Sequence, residues 1–231
     1  VRASSSFDAL PGVQWSVYKQ ATAVSGRIGE EATLRIHIVG ASGAGKSTLA
    51  RRLSSHFRCR HVELDAYRWR PLWQKTPDHH FQAVVRQLLR GDAWVIDGSY
   101  ASVRAQIWGR ADTLIWLDYP APLVVCRLLH RGVRDIVQQT DLWGTGNREG
   151  WRWLLGKESL VLRSLRTWRD LRATLPALCA EGRHRHLRLV HLHSPRETDA
   201  WLAAVARAAY PVECAMQPIA LSAALWGNGS G

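Results

Sequence analysis

Short apolar stretches alternate along the chain with longer amphipathic ones, and that alternation predicts the architecture. Leu34, Ile36, Ile38 and Val39 mark a strand that stops at Gly40. Comparable runs at Arg60–Leu64, Ala93–Asp97, Asp112–Asp118 and Leu187–Leu192 have the length of strands. Between them the apolar spacing changes to three and four. Leu49, Leu53 and Phe57 share one helical face; Phe81, Val84, Val85, Leu88 and Leu89 share another over residues 78–90. Thr76 and Pro77 predict the start of that second helix, as N-cap and first-turn residue. Further helices are expected around Arg104, over 121–137, over a basic, tryptophan-rich stretch at 151–180, and over 196–209. Strands alternating with helices predict an α/β fold: a five-stranded parallel sheet, right-handed crossovers and helices on both faces.

Four segments lack this periodicity. Residues 1–32, with Ser4-Ser5-Ser6, read as a flexible extension, and 211–231 as a tail broken by Pro218. The domain is therefore expected over 33–210. Residues 65–77 (DAYRWRPLWQKTP) read as irregular, aromatic and basic. Residues 138–150 (QQTDLWGTGNREG) are polar and glycine-rich, the end of an expected helical lid at about 131–150.

The junction of the first strand and first helix carries chemistry. Gly40-Ala41-Ser42-Gly43-Ala44-Gly45-Lys46-Ser47-Thr48 fits the phosphate-binding loop pattern G-x-x-x-x-G-K-[ST]. Gly40 and Gly45 permit backbone angles that a Cβ disfavours, so consecutive N–H groups can turn around a phosphate. The helix start adds unpaired donors and a positive dipole end. Lys46 would neutralise the β- and γ-phosphates of ATP, and the Ser47 hydroxyl would ligate Mg²⁺. In a parallel sheet the ligand sits beyond the carboxyl ends of the strands. Asp65, Asp97 and Asp118 all fall there too.

Charge and cysteine usage narrow the setting. The 231 residues carry a net charge of +12, with pI about 10.4 and 46% hydrophobic residues. Nearly all the positive charge is arginine; the lysines are Lys19, Lys46, Lys75 and Lys157. A basic balance suits nucleotide phosphates or nucleic acid. Cys59, Cys126, Cys179 and Cys214 are scattered without a C-x-x-C pair and read as reduced, partly buried thiols of a cytoplasmic protein. No run of 18 apolar residues predicts a membrane span, and the first residues lack a signal-peptide layout.

Taken in order, GASGAGKSTLARRL, LDAYRW, WVIDGSY, ADTLIWLDYP, CRLLHRGVRD and GNRE resemble the adenylate-kinase-related P-loop kinases. The subgroup resembled is the DNA topology modulation proteins, over roughly residues 34–207. The resemblance implies a three-layer P-loop NTPase fold with a nucleotide loop, an acceptor-binding segment and a lid, and an ATP-dependent phosphotransferase. It also implies that Asp97 holds Mg²⁺ through water. Arg127 and Arg131 match the arginines of the helix entering the lid, one against the adenine ring and one reaching the transferring phosphates; planar guanidinium forks suit both tasks. Arg134 and Arg148 lie in the same region. The lid has no four-cysteine set, so no structural zinc is expected there.

Two acceptor readings stay open. In kinases of hydroxyl acceptors a strand-end Asp orients or deprotonates the hydroxyl; in nucleoside monophosphate kinases an Arg three residues after such an Asp holds the acceptor phosphate. This chain has both Asp65 and Arg68. Adenylate kinases also carry an Arg four residues after the Asp97 position; here that residue is Ala101, and the nearest arginine is Arg104. Trp69 and Trp73 read as packing residues before stacking ones. A different class of function, a nucleotide-regulated DNA-associated protein, draws on the charge and on Arg163, Arg166, Arg169 and Arg172 at three-residue intervals. Nucleic acid is a possible partner but not the favoured one: an amphipathic helix with Trp153, Leu160, Leu165 and Trp168 inward and arginines in water accounts for the same stretch. His79-His80 and His184, His186, His191 and His193 have no carboxylate or cysteine at metal spacing in sequence and read as core or surface residues.

Overall fold

The structure is a computed structural model that describes residues 34–156, 159–180 and 184–208. The expected extension at 1–32 and tail at 211–231 lie outside the described residues, as does Cys214.

A five-stranded parallel sheet forms the centre. Its strands are β1 (Leu34–Gly40), β2 (Arg60–Glu63), β5 (Ala93–Asp97), β6 (Thr113–Leu117) and β7 (Arg188–Leu192), in the spatial order β2-β5-β1-β6-β7. Side chains alternate across this sheet as the period of two requires. Ile36, Ile38, Val95, Ile115, Leu117, Val190 and Leu192 face one core. There they meet Leu49, Leu53 and Phe57 of α1 (Lys46–His56) and Trp201 and Val205 of α8 (Pro195–Ala208). Val39, Val62, Trp94, Ile96, Leu114 and Trp116 face the other core. That core is closed by α3 (Asp78–Leu88), α4 (Ala101–Trp108) and Leu171 and Leu175 of α7 (Leu160–Ala180). This is the three-layer P-loop NTPase fold. The chain leaves β1 toward β2 and leaves β5 toward β6, on opposite sides of β1. Such a reversal opens a crevice at the strand carboxyl ends.

The remaining elements stand above those ends. α5 (Ala121–Val137) and α6 (Trp151–Leu155) flank residues 138–150. Residues 65–77 are more ordered than the sequence suggests: a helical turn α2 (Asp65–Arg68), then a small hairpin of β3 (Trp69–Arg70) and β4 (Gln74–Lys75) joined by a 3-10 turn. Hairpins this short carry almost no periodic signal. Two other expectations change. Thr76 does not cap α3; its hydroxyl donates to the Tyr67 carbonyl at 2.9 Å, and Pro77 occupies the N-cap. The expected single helix over 151–180 is two helices, because Gly156 takes an extended conformation (ψ 179°) and a Cβ there would meet the Arg152 carbonyl at 2.3 Å. The buried positions of α7 are Ser164, Leu171 and Leu175, while Trp153, Leu160, Leu165 and Trp168 are only partly buried. Among the described cysteines, Cys59 is buried, Cys179 intermediate and Cys126 exposed. No helix among the described residues is long and apolar enough to cross a membrane.

Gly98, directly after β5, has φ +136°, and a Cβ there would lie 2.8 Å from the Leu64 Cβ. Gly98→Ala is therefore expected to destabilise the fold by about 1–3 kcal/mol. Urea unfolding reads this as a lower midpoint at unchanged slope; an unchanged midpoint would refute the steric argument.

Candidate active site

The loop between β1 and α1 is open at its centre and held at its rim. Gly40, Gly43 and Gly45 have φ of +153°, +88° and +95°. A Cβ on Gly43 would meet the Val124 carbonyl oxygen at 2.6 Å, so the loop lies directly on α5. The Ser164 hydroxyl of α7 donates to the Ser42 carbonyl at 2.8 Å. Ser99 bonds both the N–H and the carbonyl of Gly40 at 3.1 Å. Gly45 is the left-handed N-cap of α1 and offers no side-chain cap, which leaves first-turn N–H groups for an anion.

Lys46 folds back over this loop, its Nζ donating to the Ala41 carbonyl at 3.1 Å. Burial pushes its pKa below the ordinary value, against the pull of the Asp65, Asp97 and Glu63 carboxylates; Arg131 adds to the lowering. Ser47 Oγ donates to Asp97 Oδ2 at 2.6 Å, and His61 Nε2 lies 2.9 Å from Oδ1. The Ser47 hydroxyl and the buried Asp97 carboxylate are hard oxygen donors of the kind that Mg²⁺ and its water ligands take.

Just beyond β2, Tyr100 donates its hydroxyl to Asp65 Oδ1. Burial and the Asp65 charge raise the Tyr100 pKa far above its ordinary value, so the phenol stays a donor. Glu63 also stands here, its pKa raised by burial. Arg68 is engaged within the fold: it donates to the Thr76 carbonyl at 2.8 Å and to Asp78 at 2.6 Å, with its guanidinium over the Phe81 and Tyr100 rings. Arg104 lies over the Trp108 ring at 5.6 Å. Sequence reasoning missed Tyr100, Glu63 and His61. Tyr100 stood within WVIDGSY, the motif that flagged Asp97, and Glu63 just before LDAYRW, but nothing local marked them as site residues.

Arg127 and Arg131, four residues apart on α5, meet the nucleotide side from above. An Arg127 guanidinium nitrogen is 3.8 Å from where a Gly45 Cβ would be, and the group lies over the Tyr119 ring. Arg131 faces Asp135 and Glu149 at 3.9 and 4.0 Å. Arg134 pairs with Asp135, and Arg148 is exposed.

Residues 138–150 are docked on the β3–β4 hairpin. Asn147, buried in a polar contact, accepts from the Trp73 N–H at 3.0 Å and donates to the Arg70 carbonyl at 2.9 Å. Leu72 and Trp73 in that turn have φ of 60° and 56°, left-handed values that cost about 1–2 kcal/mol each. Trp69, Trp73, Trp143 and Trp153 pack edge-on or tilted against one another across this contact, rather than into the sheet core. Asn147→Ala leaves two backbone groups unpaired, at about 1–3 kcal/mol. Proteolysis at residues 138–150 is therefore expected to quicken at least about fivefold; an unchanged rate would mean that Asn147 does not hold this segment.

Two of the four arginines that suggested a phosphate-tracking face, Arg163 and Arg172, have different partners. Arg163 lies over the Trp153 ring at 4.1 Å and the Trp69 ring at 5.8 Å, while Arg172 bonds Asp118. Helical positions three apart drift around the axis, and these two are drawn to different partners.

No family model matches the chain. It is 32% identical over 120 residues to a shikimate kinase of Nitrobacter winogradskyi, covering 45% of this chain and 56% of that protein. It is 29% identical over 98 residues to the uncharacterized protein YqaC of Bacillus subtilis (strain 168), covering 42% and 55%. The chain thus spans about half the length of the curated relatives it matches. A gluconokinase structure from Sinorhizobium meliloti 1021 aligns at TM-score 0.45 and 20% identity, over 78% of this chain and 95% of that one.

Proposed function

We propose that this protein is an ATP-dependent phosphotransferase whose acceptor is a hydroxyl group of a small molecule without a phosphate near the reacting oxygen. The observation that carries this reading is the pairing of opposites at Lys46: a phosphate loop on one side and the Asp65 carboxylate on the other. The shikimate kinase likeness supports a small-molecule kinase. The finer resemblance, to DNA topology modulation proteins, rests on the ordered LDAYRW, WVIDGSY and LDYP motifs and is compatible with this activity.

Charge favours the hydroxyl acceptor over a nucleoside monophosphate. A phosphomonoester would bring negative charge beside Asp65 and Glu63, and Arg68 is already engaged by Asp78 and the Thr76 carbonyl. Among the described residues Asp65 Oδ2 has no hydrogen-bond partner, so it can accept from the substrate while Tyr100 holds Oδ1. In the proposed step the acceptor oxygen attacks the γ-phosphorus as its proton passes to Asp65. The new O–P bond forms, the bond to the β,γ-bridging oxygen breaks, and that electron pair leaves with ADP. The loop N–H groups, Lys46, Arg127 and Arg131 neutralise the phosphate oxygens. Ser47 and Asp97 would hold Mg²⁺, which when bound neutralises charge on the β- and γ-phosphates.

The test is transfer from labelled ATP to panels of nucleoside monophosphates and of uncharged polyols, nucleosides and hydroxy acids. Transfer is expected to the hydroxyl panel, lost in Lys46→Ala and kept in Arg68→Ala. Transfer to monophosphates that requires Arg68 would overturn the acceptor assignment. ATP binding with no transfer to any acceptor would overturn the kinase reading.

A further inference from the structure

Three side chains distant in sequence meet beyond the carboxyl ends of β6 and β7. Asp118, buried, follows β6; His191 lies in β7 and His193 just after it. Asp118 Oδ2 is 3.2 Å from His191 Nε2 and 4.0 Å from His193 Nδ1, and one ligand atom from each residue fits within a span of 4.8 Å. We propose that Asp118, His191 and His193 form a binding site for a late first-row divalent cation of the Zn²⁺ class, with solvent completing the coordination.

The geometry supports this in three ways. Ligands about 2.0–2.1 Å from a tetrahedral Zn²⁺ lie about 3.3–3.4 Å from each other. The Asp118–His191 pair, at 3.2 Å, is close to that separation. His193 must close by about 0.6–0.7 Å toward Asp118, and its side chain is 58% exposed. Second, the other atoms of these ligands are fixed. Arg172 Nε donates to Asp118 Oδ1 at 2.6 Å, leaving Oδ2 directed at the histidines. The His191 ring is stacked on Trp116 at 3.9 Å, 4° from parallel. The His193 N–H donates to Glu197 Oε2 at 2.7 Å, and Ser194 Oγ accepts from the Glu197 N–H at 3.1 Å, pinning the turn into α8. Such outer contacts orient metal ligands and govern affinity. Third, two imidazoles and one carboxylate are a donor set for Zn²⁺, Ni²⁺, Co²⁺ or Cu²⁺ rather than for Mg²⁺ or Ca²⁺, which prefer all-oxygen shells. The site is separate from the Ser47–Asp97 pair: Asp97 ends β5, and two strands, β1 and β6, lie between β5 and β7.

The full chain, stripped with chelator and held in excess Mg²⁺ to fill oxygen-only sites, is titrated with Co²⁺ and then Zn²⁺. One Co²⁺ per chain is expected, with the intense visible bands of four-coordination, displaced by Zn²⁺. His193→Ala, at an exposed position, should weaken binding at least tenfold and abolish the Zn²⁺-induced rise in melting temperature. His191→Ala should do the same, with its fold checked by circular dichroism. Equal affinity in wild type and His193→Ala would overturn the proposal. So would a thiolate-to-cobalt charge-transfer band, which would assign the metal to a cysteine, or the absence of Co²⁺ binding.

Discussion

Asp65→Asn is expected to lower kcat for phosphoryl transfer by about 10²–10⁴, the range for losing a general base. Binding of a non-hydrolysable ATP analogue should change less than about twofold, because the phosphate loop, Lys46 and α5 stay intact. The amide keeps the shape of Asp65 and can still bond the Tyr100 hydroxyl, but it cannot take the acceptor proton. Tyr100→Phe provides the contrast. It removes the hydrogen bond that orients Asp65 and should lower kcat by about tenfold, a positioning effect worth about 1.4 kcal/mol. Rapid-quench measurements with the acceptor found in the panel separate the two variants. Full activity in Asp65→Asn would remove Asp65 from the chemistry and leave Glu63, another acidic group beside Lys46, as the base to test.

Acidification is expected to destabilise the fold through His37. This ring is buried between two fixed partners. Trp108 Nε1 donates to Nδ1 at 3.0 Å, and the opposite nitrogen, Nε2, meets the Gly98 carbonyl at 2.9 Å. Those partners specify a neutral ring protonated on Nε2, and a second proton on Nδ1 would face the Trp108 N–H. Burial, the largest cause, lowers the His37 pKa to about 4, against smaller raising effects from the Gly98 hydrogen bond and Asp97. In the unfolded chain the value is about 6.5. Between pH 6.5 and 4 the unfolded state therefore binds more protons than the folded one. The contribution of neutral His37 is fully present above pH 6.5 and is lost as pH falls toward 4. At 1.36 kcal/mol per pH unit, about 3 kcal/mol of stability is at stake. Urea unfolding across this range should show the loss in wild type. His37→Asn should be less stable at pH 7 yet flatter with pH, and identical slopes for the two proteins would refute the assignment. Comparison with the variant also removes the opposite contributions of Glu63 and Glu149, whose raised pKa values favour the fold on the acid side.

Because His37 bonds the carbonyl of Gly98, the residue after Asp97, this buried contact also supports the carboxylate that meets Ser47. Loss of the neutral ring should therefore loosen the β5 end before the sheet itself melts.

The sequence by itself determined the sheet, its helices and the phosphate loop. Strand and helix periods are local, and the glycines, Lys46 and Ser47 of the loop act within a few residues of one another. The same local logic located Asp65 and Asp97 at strand ends. What those groups do there depended on chain segments far away. Arg68 could hold a phosphate or serve the fold, and its contacts with Asp78 and the Thr76 carbonyl come from tertiary structure that the motif does not show. Asn147 meets Trp73 across 74 residues, so the docking of 138–150 on the β3–β4 hairpin left no mark in either segment. The break at Gly156 was invisible because the flanking segments are both helix-forming. His191 and His193 have no metal partner in sequence; Asp118 reaches them only because β6 and β7 are neighbours in the sheet, 73 residues apart in the chain. Local backbone preference and hydrophobic period are written in adjacent residues. Pairing of charges is a property of which strands end side by side, and only the folded sheet decides that.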